Sequence, residues 1–203
     1  MHTSGVQVGG YALLMGKPLN AVTRAEAQRL LSRDARAVDK LVDAELIGVV
    51  GVVGRTRLLS RDDVSDLAGR PPAGVSVERA GPMFGAAVSL GGLELDTDPD
   101  HLRYVLGWSD QREVPSSAWA GLWNTGRPWA DRLVGLSLVG TVSGFVVAVA
   151  AITGWMAHPR SHAIEFTVGP PDGATSELVL GRALRFPRGP AWRVLYGPAP
   201  TAP

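Results

Sequence analysis

The chain has 203 residues, which is enough for one large domain or two small ones. Its 20 basic and 19 acidic side chains nearly cancel, so DNA binding would depend on where a few charges lie rather than on a basic chain. There is no cysteine, which excludes disulfides, thiolate metal sites and thiol nucleophiles. Arginine-rich, glycine-rich composition is typical of a high-GC bacterial genome, and the first residues lack the pattern of a secretory signal, so we expect a bacterial, cytoplasmic protein.

The first clear elements are two short helices joined by a tight turn. Thr23 and Glu26 have the spacing of a capping box, and apolar residues follow at helical spacing as far as Leu31. Asp34 is the next N-cap candidate, and Val38 begins the apolar stripe of a second helix. The short separation of the two helices is typical of a helix-turn-helix.

The periodicity changes after Leu46. The β-branched and glycine-rich residues that follow predict two short strands with a turn near Gly51 to Gly54. Ser60 then caps a third helix, and the stretch Gly69 to Pro72 ends that helix and begins a linker.

This order of elements resembles the excisionase-type branch of the MerR-like winged helix-turn-helix family. The matching parts are the helices Thr23 to Leu31, Asp34 to Glu45 and Arg61 to Leu67, the strand Val49 to Val53, and the turn Gly54-Arg55. The resemblance covers residues 22–70 and implies that the second helix enters the major groove of DNA while the wing lies on the backbone or in the minor groove.

The basic residues expected to contact DNA lie on the second helix, on the turn before it and on the wing. They are Arg33, Arg36, Lys40, Arg55 and Arg57. Alternate residues of a strand share a face, so the two wing arginines are expected to point toward the same phosphates, with Thr56 facing away.

Two acidic residues, Asp39 and Asp43, lie beside Lys40 and would repel phosphate. Residues 1–72 contain ten basic and eight acidic side chains, a difference of +2, which is low for a DNA-binding module. A protein–protein module with the same fold is therefore the alternative.

Strand signals dominate residues 73–203. The predicted strands are Ala86 to Leu95, Ala163 to Val168, Glu177 to Phe186 and Ala191 to Tyr196, with turns at 170–173 and 187–190 and a short helix over Ser116 to Trp123. The expected fold class is therefore α+β, with a winged helix-turn-helix domain over residues 1–72 and a mostly β domain, a small barrel or strongly bent sheet, over residues 73–203.

The stretch Leu133 to Met156 contains no charged residue. It is long enough to span a bilayer, and Gly140 and Gly144 have the spacing of a helix-packing motif. Its β-branched residues and its alternation instead favour a buried hairpin with a turn at Ser143-Gly144. We expect the hairpin, and therefore no membrane partner.

No group of residues predicts an enzyme, a cofactor or a metal site. His158, His162 and Glu165 lie around a proline, and the alternating aspartates from Asp96 to Asp100 lack the glycine of a calcium loop. The six tryptophans are interpreted as core and interface filling, with a ligand pocket or a base-stacking surface as the alternative.

The expected function is sequence-specific binding of double-stranded DNA by a dimeric bacterial transcription regulator. The alternatives are a phage or plasmid partition component that uses the same fold for protein contacts, and a membrane-anchored regulator. Residues 73–203 are expected to form the homodimer interface, because the uncharged run exceeds what one hairpin needs for a core, and they are also the candidate site for a small-molecule ligand.

Overall fold

The computed structural model describes residues 20–79, 81–97, 104–121, 123–158, 163–185 and 191–198. Both helices and strands are present, which confirms the α+β class. The N-terminal elements are β1 (Ala21–Thr23), α1 (Arg24–Leu31), α2 (Ala35–Asp43), β2 (Val49–Val53), β3 (Thr56–Ser60) and α3 (Arg61–Gly69). The three strands form an antiparallel sheet of order β1-β3-β2, in which β1 was not predicted because three residues are too few to show alternation.

The predicted caps of the N-terminal helices are confirmed. The Thr23 N–H donates to Glu26 Oε2 at 2.9 Å, and the Glu26 N–H donates back to the Thr23 hydroxyl at 3.2 Å. Asp34 accepts from the Ala37 N–H at 2.9 Å, and Ser60 caps α3 through the Asp63 N–H at 3.3 Å. Each cap satisfies a backbone donor that would otherwise have no partner, so the polar side chains set where each helix begins.

The C-terminal residues form a second, larger sheet. Their elements are β4 (Met83–Leu90), β5 (Glu94–Leu95), β6 (Val105–Leu106), α4 (Ser117–Ala120), α5 (Arg127–Leu133), β7 (Ser137–Val142), β8 (Phe145–Ala157), β9 (Ile164–Gly169), α6 (Gly173–Val179) and β10 (Trp192–Tyr196). The order of the large sheet is β10-β4-β7-β8-β9, with β4 and β7 parallel and the other pairs antiparallel. The order is open, with β10 and β9 at its edges, so the described strands do not close into the barrel that was one of the two expectations.

The uncharged run from Leu133 to Met156 folds as the predicted hairpin of β7 and β8. Its turn residues Ser143 and Gly144 have φ values of 51° and 85°, as in the type I′ turn that suits the twist of paired strands. None of the helices in the described part of the chain has the length and apolar character to cross a membrane.

Three predictions for the C-terminal residues are wrong or incomplete. The strand predicted from Glu177 to Phe186 is wrong, because α6 occupies its first residues; Asp172 accepts from the Thr175 N–H at 2.8 Å and so starts a helix where a turn was expected. The strand predicted over Ala86 to Leu95 is interrupted after Leu90, and α5 was not predicted. The turn predicted at 187–190 lies outside the described residues.

Two apolar clusters cover the two faces of the large sheet. Along β4, Ala86 and Val88 belong to the larger cluster, whereas Ala87 between them belongs to the smaller one, as strand alternation requires. The larger cluster also contains Val38 and Leu41 of α2, so the N-terminal helices and the sheet share one core. The segment after α3 is also hydrogen-bonded to the C-terminal residues, since the Ala73 N–H donates to the Ala183 carbonyl at 2.8 Å.

Candidate nucleic-acid interface

Helix α2 has a buried side and an opposite, outward side. Val38 and Leu41 are fully buried and hold the helix to the core. At 100° per residue, Arg36 and Lys40 lie on the opposite side, where Arg36 is exposed and Lys40 is half-buried. The outward side thus carries two positive charges, and Asp43 adds a negative one at its C-terminal end.

A groove of about 580 Å³ separates one flank of α2 from the β2–β3 hairpin. Its apolar lining comes from Val38, Val42 and Leu59. Its polar lining consists of Arg24, Asp39, Asp43, Arg55, Thr56 and Arg57. The helix and the hairpin that were expected to act together therefore border the same concave surface.

The charges of this groove are partly paired. The guanidinium of Arg24 forms a salt bridge with Asp39, and both side chains are about half exposed. The three arginines and two aspartates of the lining sum to +1, and the pairing leaves Asp43 opposite Arg55 and Arg57. The groove is therefore weakly positive, with its surplus on the hairpin side.

Arg55 and Arg57 of the β2–β3 hairpin are both exposed, but they lie in different local structures. Arg57 belongs to β3, whereas Arg55 precedes the strand and follows Gly54, which has a φ of 61°. Thr56 lines the same groove as the two arginines, so the strict alternation expected of a strand does not hold next to the turn. The two guanidiniums still border one surface.

Arg33 lies apart from the other four predicted contacts. Its Nε donates to the Ser143 carbonyl at 3.1 Å, and its guanidinium carbon lies 5.6 Å from the centre of the Phe145 ring. The Ser143 hydroxyl in turn donates to the Ala37 carbonyl of α2 at 2.8 Å. Arg33 therefore joins the turn between α1 and α2 to the β7–β8 turn, a contact between residues 110 positions apart that no local pattern could show.

The other end of α2 is held in a similar way. The Asp110 N–H donates to the Ala44 carbonyl at 3.0 Å. Glu45 accepts from the Ser109 hydroxyl and pairs with Arg112 at 3.2 Å. Sequence analysis missed these positioning residues because they lie in loops without a recognisable motif.

The alternative sites considered from the sequence gain little support. Among the described residues no group of three or more histidine, aspartate or glutamate side chains could hold a metal ion, and His162, Asp98 and Asp100 lie outside those residues. Of the six tryptophans, Trp119 is buried in the larger apolar cluster and the other five are half-buried, with the rings of Trp129 and Trp192 edge to face at 6.2 Å.

The candidate site is thus a helix face and a hairpin that border one weakly positive groove, with both ends of the helix held by the C-terminal sheet unit. No protein family model, curated protein or solved structure matches the chain.

Proposed function

We propose that residues 20–70 form a winged helix-turn-helix that binds double-stranded DNA, and that the chain is a cytoplasmic bacterial transcription regulator. The observation that carries the proposal is the position of α2: its outward face, with Arg36 and Lys40, is open to solvent, and the wing arginines border the groove on its flank. A single helix fits the major groove, where basic side chains reach guanine edges or phosphates.

The acidic residues near this face have defined roles in the proposal. Asp39 is paired with Arg24, which reduces its repulsion of phosphate. Among the residues that line the groove, α1 offers no second arginine to pair with Asp43, which faces the hairpin. Asp43 can therefore accept a hydrogen bond from a cytosine amino group. Arg55 and Arg57 then supply phosphate contacts without base specificity.

The test is a salt-titrated binding assay on mixed genomic DNA with the full chain and matched variants. Replacing Arg36 and Lys40 together by alanine should weaken binding by about 1–3 kcal/mol for each residue that reads a base. Arg55→Ala should reduce the slope of log K against log salt by about 0.9, the value for one phosphate contact.

Arg79→Ala is the control for the loss of one positive charge away from the groove. Arg79 is exposed and follows Val75 and Val77, which pack on the opposite face of the large sheet from α2. The control should bind as the unmodified chain does. Equal affinities for the control and for the double variant at positions 36 and 40 would remove α2 from the interface.

A second candidate function is supported by one observation on the wing. The four valines of β2 are 44% to 64% exposed, and such an exposed apolar surface favours a protein partner, as in an adaptor. In that case binding to genomic DNA would be weak and would show no arginine-dependent salt slope.

The homodimer interface expected within residues 73–203 stays a prediction. All six residues of β7 are buried, and most of the first half of β8 is buried with them. Both apolar clusters take up residues of these strands, but Val134 and Met156 of the uncharged run are 43% and 55% exposed. A small-molecule ligand of residues 73–203 stays a prediction.

A further inference from the structure

Strand β2 is the least covered apolar element among the described residues. Val49, Val50, Val52 and Val53 are 44%, 50%, 64% and 63% exposed. The strand is an edge of the sheet β1-β3-β2 and has no strand partner on its outer side within the described part of the chain. It carries no lysine, glutamate or proline, the residues with which proteins commonly protect such an edge from pairing.

The residues around β2 are symmetric in sequence. Residues 48–54 read GVVGVVG, which is the same in both directions about Gly51. In antiparallel pairing, hydrogen-bonded and non-hydrogen-bonded pairs alternate along the strands. Two pairs related by a two-fold axis must be of the same kind, so the axis passes midway between a residue and its own copy. An axis at Gly51 sets Val50 opposite the partner's Val52 and Val49 opposite the partner's Val53.

The ends of the strand have opposite charges. The tip of the hairpin carries Arg55 and Arg57. The base of the strand, at Gly48, lies against Asp63, whose carboxylate accepts from the Gly48 N–H at 2.8 Å. Antiparallel pairing about Gly51 brings the hairpin tip of one copy to the base of β2 in the other copy. Each Arg55 then lies toward the end of the partner strand where Asp63 is, so opposite charges face each other.

We propose that β2 pairs with β2 of a second copy of this chain about a two-fold axis at Gly51. The pairing of β2 with β3 is irregular between Val49 and Gly51, and this axis sets the irregular half of one strand against the regular half of its copy. The product is one six-stranded antiparallel sheet.

The two-fold axis of such a pair is perpendicular to the sheet. The corresponding faces of the two three-stranded halves therefore lie on the same side of the six-stranded sheet. Both α2 helices then lie on one side of the six-stranded sheet, as two helices that read one duplex must. The pairing itself does not depend on DNA binding and can be tested without DNA.

The absence of cysteine allows a direct test of the register. Directly opposite residues have Cβ atoms about 4.5–5.5 Å apart, whereas diagonal neighbours are about 7–8 Å apart. Under mild oxidation, a mixture of Val50→Cys and Val52→Cys full-length chains should therefore form disulfide-linked dimers severalfold faster than either variant alone. Val134→Cys is the control, since Val134 is 43% exposed but lies after α5.

A second pair of variants tests the same register without oxidation. Val50→Glu with Val52→Lys sets opposite charges across the axis, and Val50→Lys with Val52→Lys sets like charges there. Sedimentation should show a dimer that is about fivefold or more weaker for the second variant. A full chain that stays monomeric throughout the micromolar range, or equal cross-linking rates for the wing cysteines and Val134→Cys, would overturn the proposal.

Discussion

Arg33 and Arg36 are three positions apart in the sequence, but their surroundings differ. Arg36 is exposed on the outward side of α2, whereas Arg33 is half-buried and bonded to the Ser143 carbonyl of the β7–β8 turn. The same kind of side chain therefore has two roles, and only burial and contacts distinguish them. We assign Arg33 to positioning α2 and keep Arg36 among the proposed DNA contacts.

Replacing Arg33 by alanine should lower the free energy of unfolding by about 1–2 kcal/mol, because a charged donor to a partly buried carbonyl is lost. Arg36→Ala is the matched control and should change it by no more than about 0.5 kcal/mol. Urea unfolding measures both. If Arg33→Ala had the stability of the unmodified chain but bound DNA less well, Arg33 would be a DNA contact after all.

Asp172 is the N-cap of α6, and its charge matters for the start of that helix. The hydrogen bond from the Thr175 hydroxyl, followed by the one from the Thr175 N–H, holds the pKa of Asp172 below its ordinary value. A lowered pKa means that the ionised cap stabilises the fold above the ordinary pKa of an aspartate, and that this stability is lost as the pH falls through the lowered value.

Asp172→Ala should therefore lower the melting temperature at neutral pH, and its difference from the unmodified chain should shrink below about pH 4. Thermal unfolding at a series of pH values measures this difference. Asp66→Ala removes another exposed carboxylate and serves as the control. A difference that stays constant on acidification would contradict the role of the charge.

Among the elements, the β7–β8 turn combines two constraints. Gly144 has a positive φ, and a Cβ added there would lie 2.9 Å from the Leu184 carbonyl oxygen and 3.2 Å from Arg33 Nη2. Gly54 in the β2–β3 turn also has a positive φ, of 61°, but no atom lies within 4 Å of an added Cβ. Substitutions at the two glycines therefore distinguish backbone strain, which both positions share, from crowding, which only Gly144 adds.

Gly54→Ala should cost about 1–2 kcal/mol, the strain of a left-handed alanine. Gly144→Ala should cost about 2–4 kcal/mol, because the crowding at the carbonyl adds to that strain. Denaturant unfolding of both variants measures the difference. Equal losses would mean that the hairpin turn does not press against its neighbours.

At the scale of the whole molecule, the N-terminal elements and the large sheet share a core. Val38 and Leu41 belong to the same apolar cluster as Val88 and Leu138, and both ends of α2 are bonded to the C-terminal residues. Close packing transmits strain, so a division near residue 72 describes the order of the elements but not two separate cores.

We therefore expect the full chain to unfold in one transition. All six tryptophans lie from Trp108 onward, so their fluorescence reports the C-terminal residues alone. Far-UV circular dichroism at 222 nm reports helices, of which the three longest are α1, α2 and α3. The two signals should change at the same denaturant concentration, and clearly separate midpoints would show that the N-terminal unit unfolds independently.

The sequence by itself determined the elements whose signals are local. The capping residues Thr23, Asp34 and Ser60 and the turn Ser143-Gly144 each act within a few positions, so they predicted where helices begin and where the hairpin reverses. The exposed positions of Arg36, Arg55 and Arg57 follow from the same local patterns. The cap at Asp172 was present too, but it was overlooked beside two prolines that indicated a turn.

Only the tertiary structure decided what depends on residues far apart in the chain. It paired β1 with β3, set the order of the large sheet, and buried all six residues of β7 between two apolar clusters. It also bonded Arg33 to the β7–β8 turn and left the valines of β2 exposed. Contacts across such separations follow from the summed packing of many side chains, and no stretch of neighbouring residues carries that information.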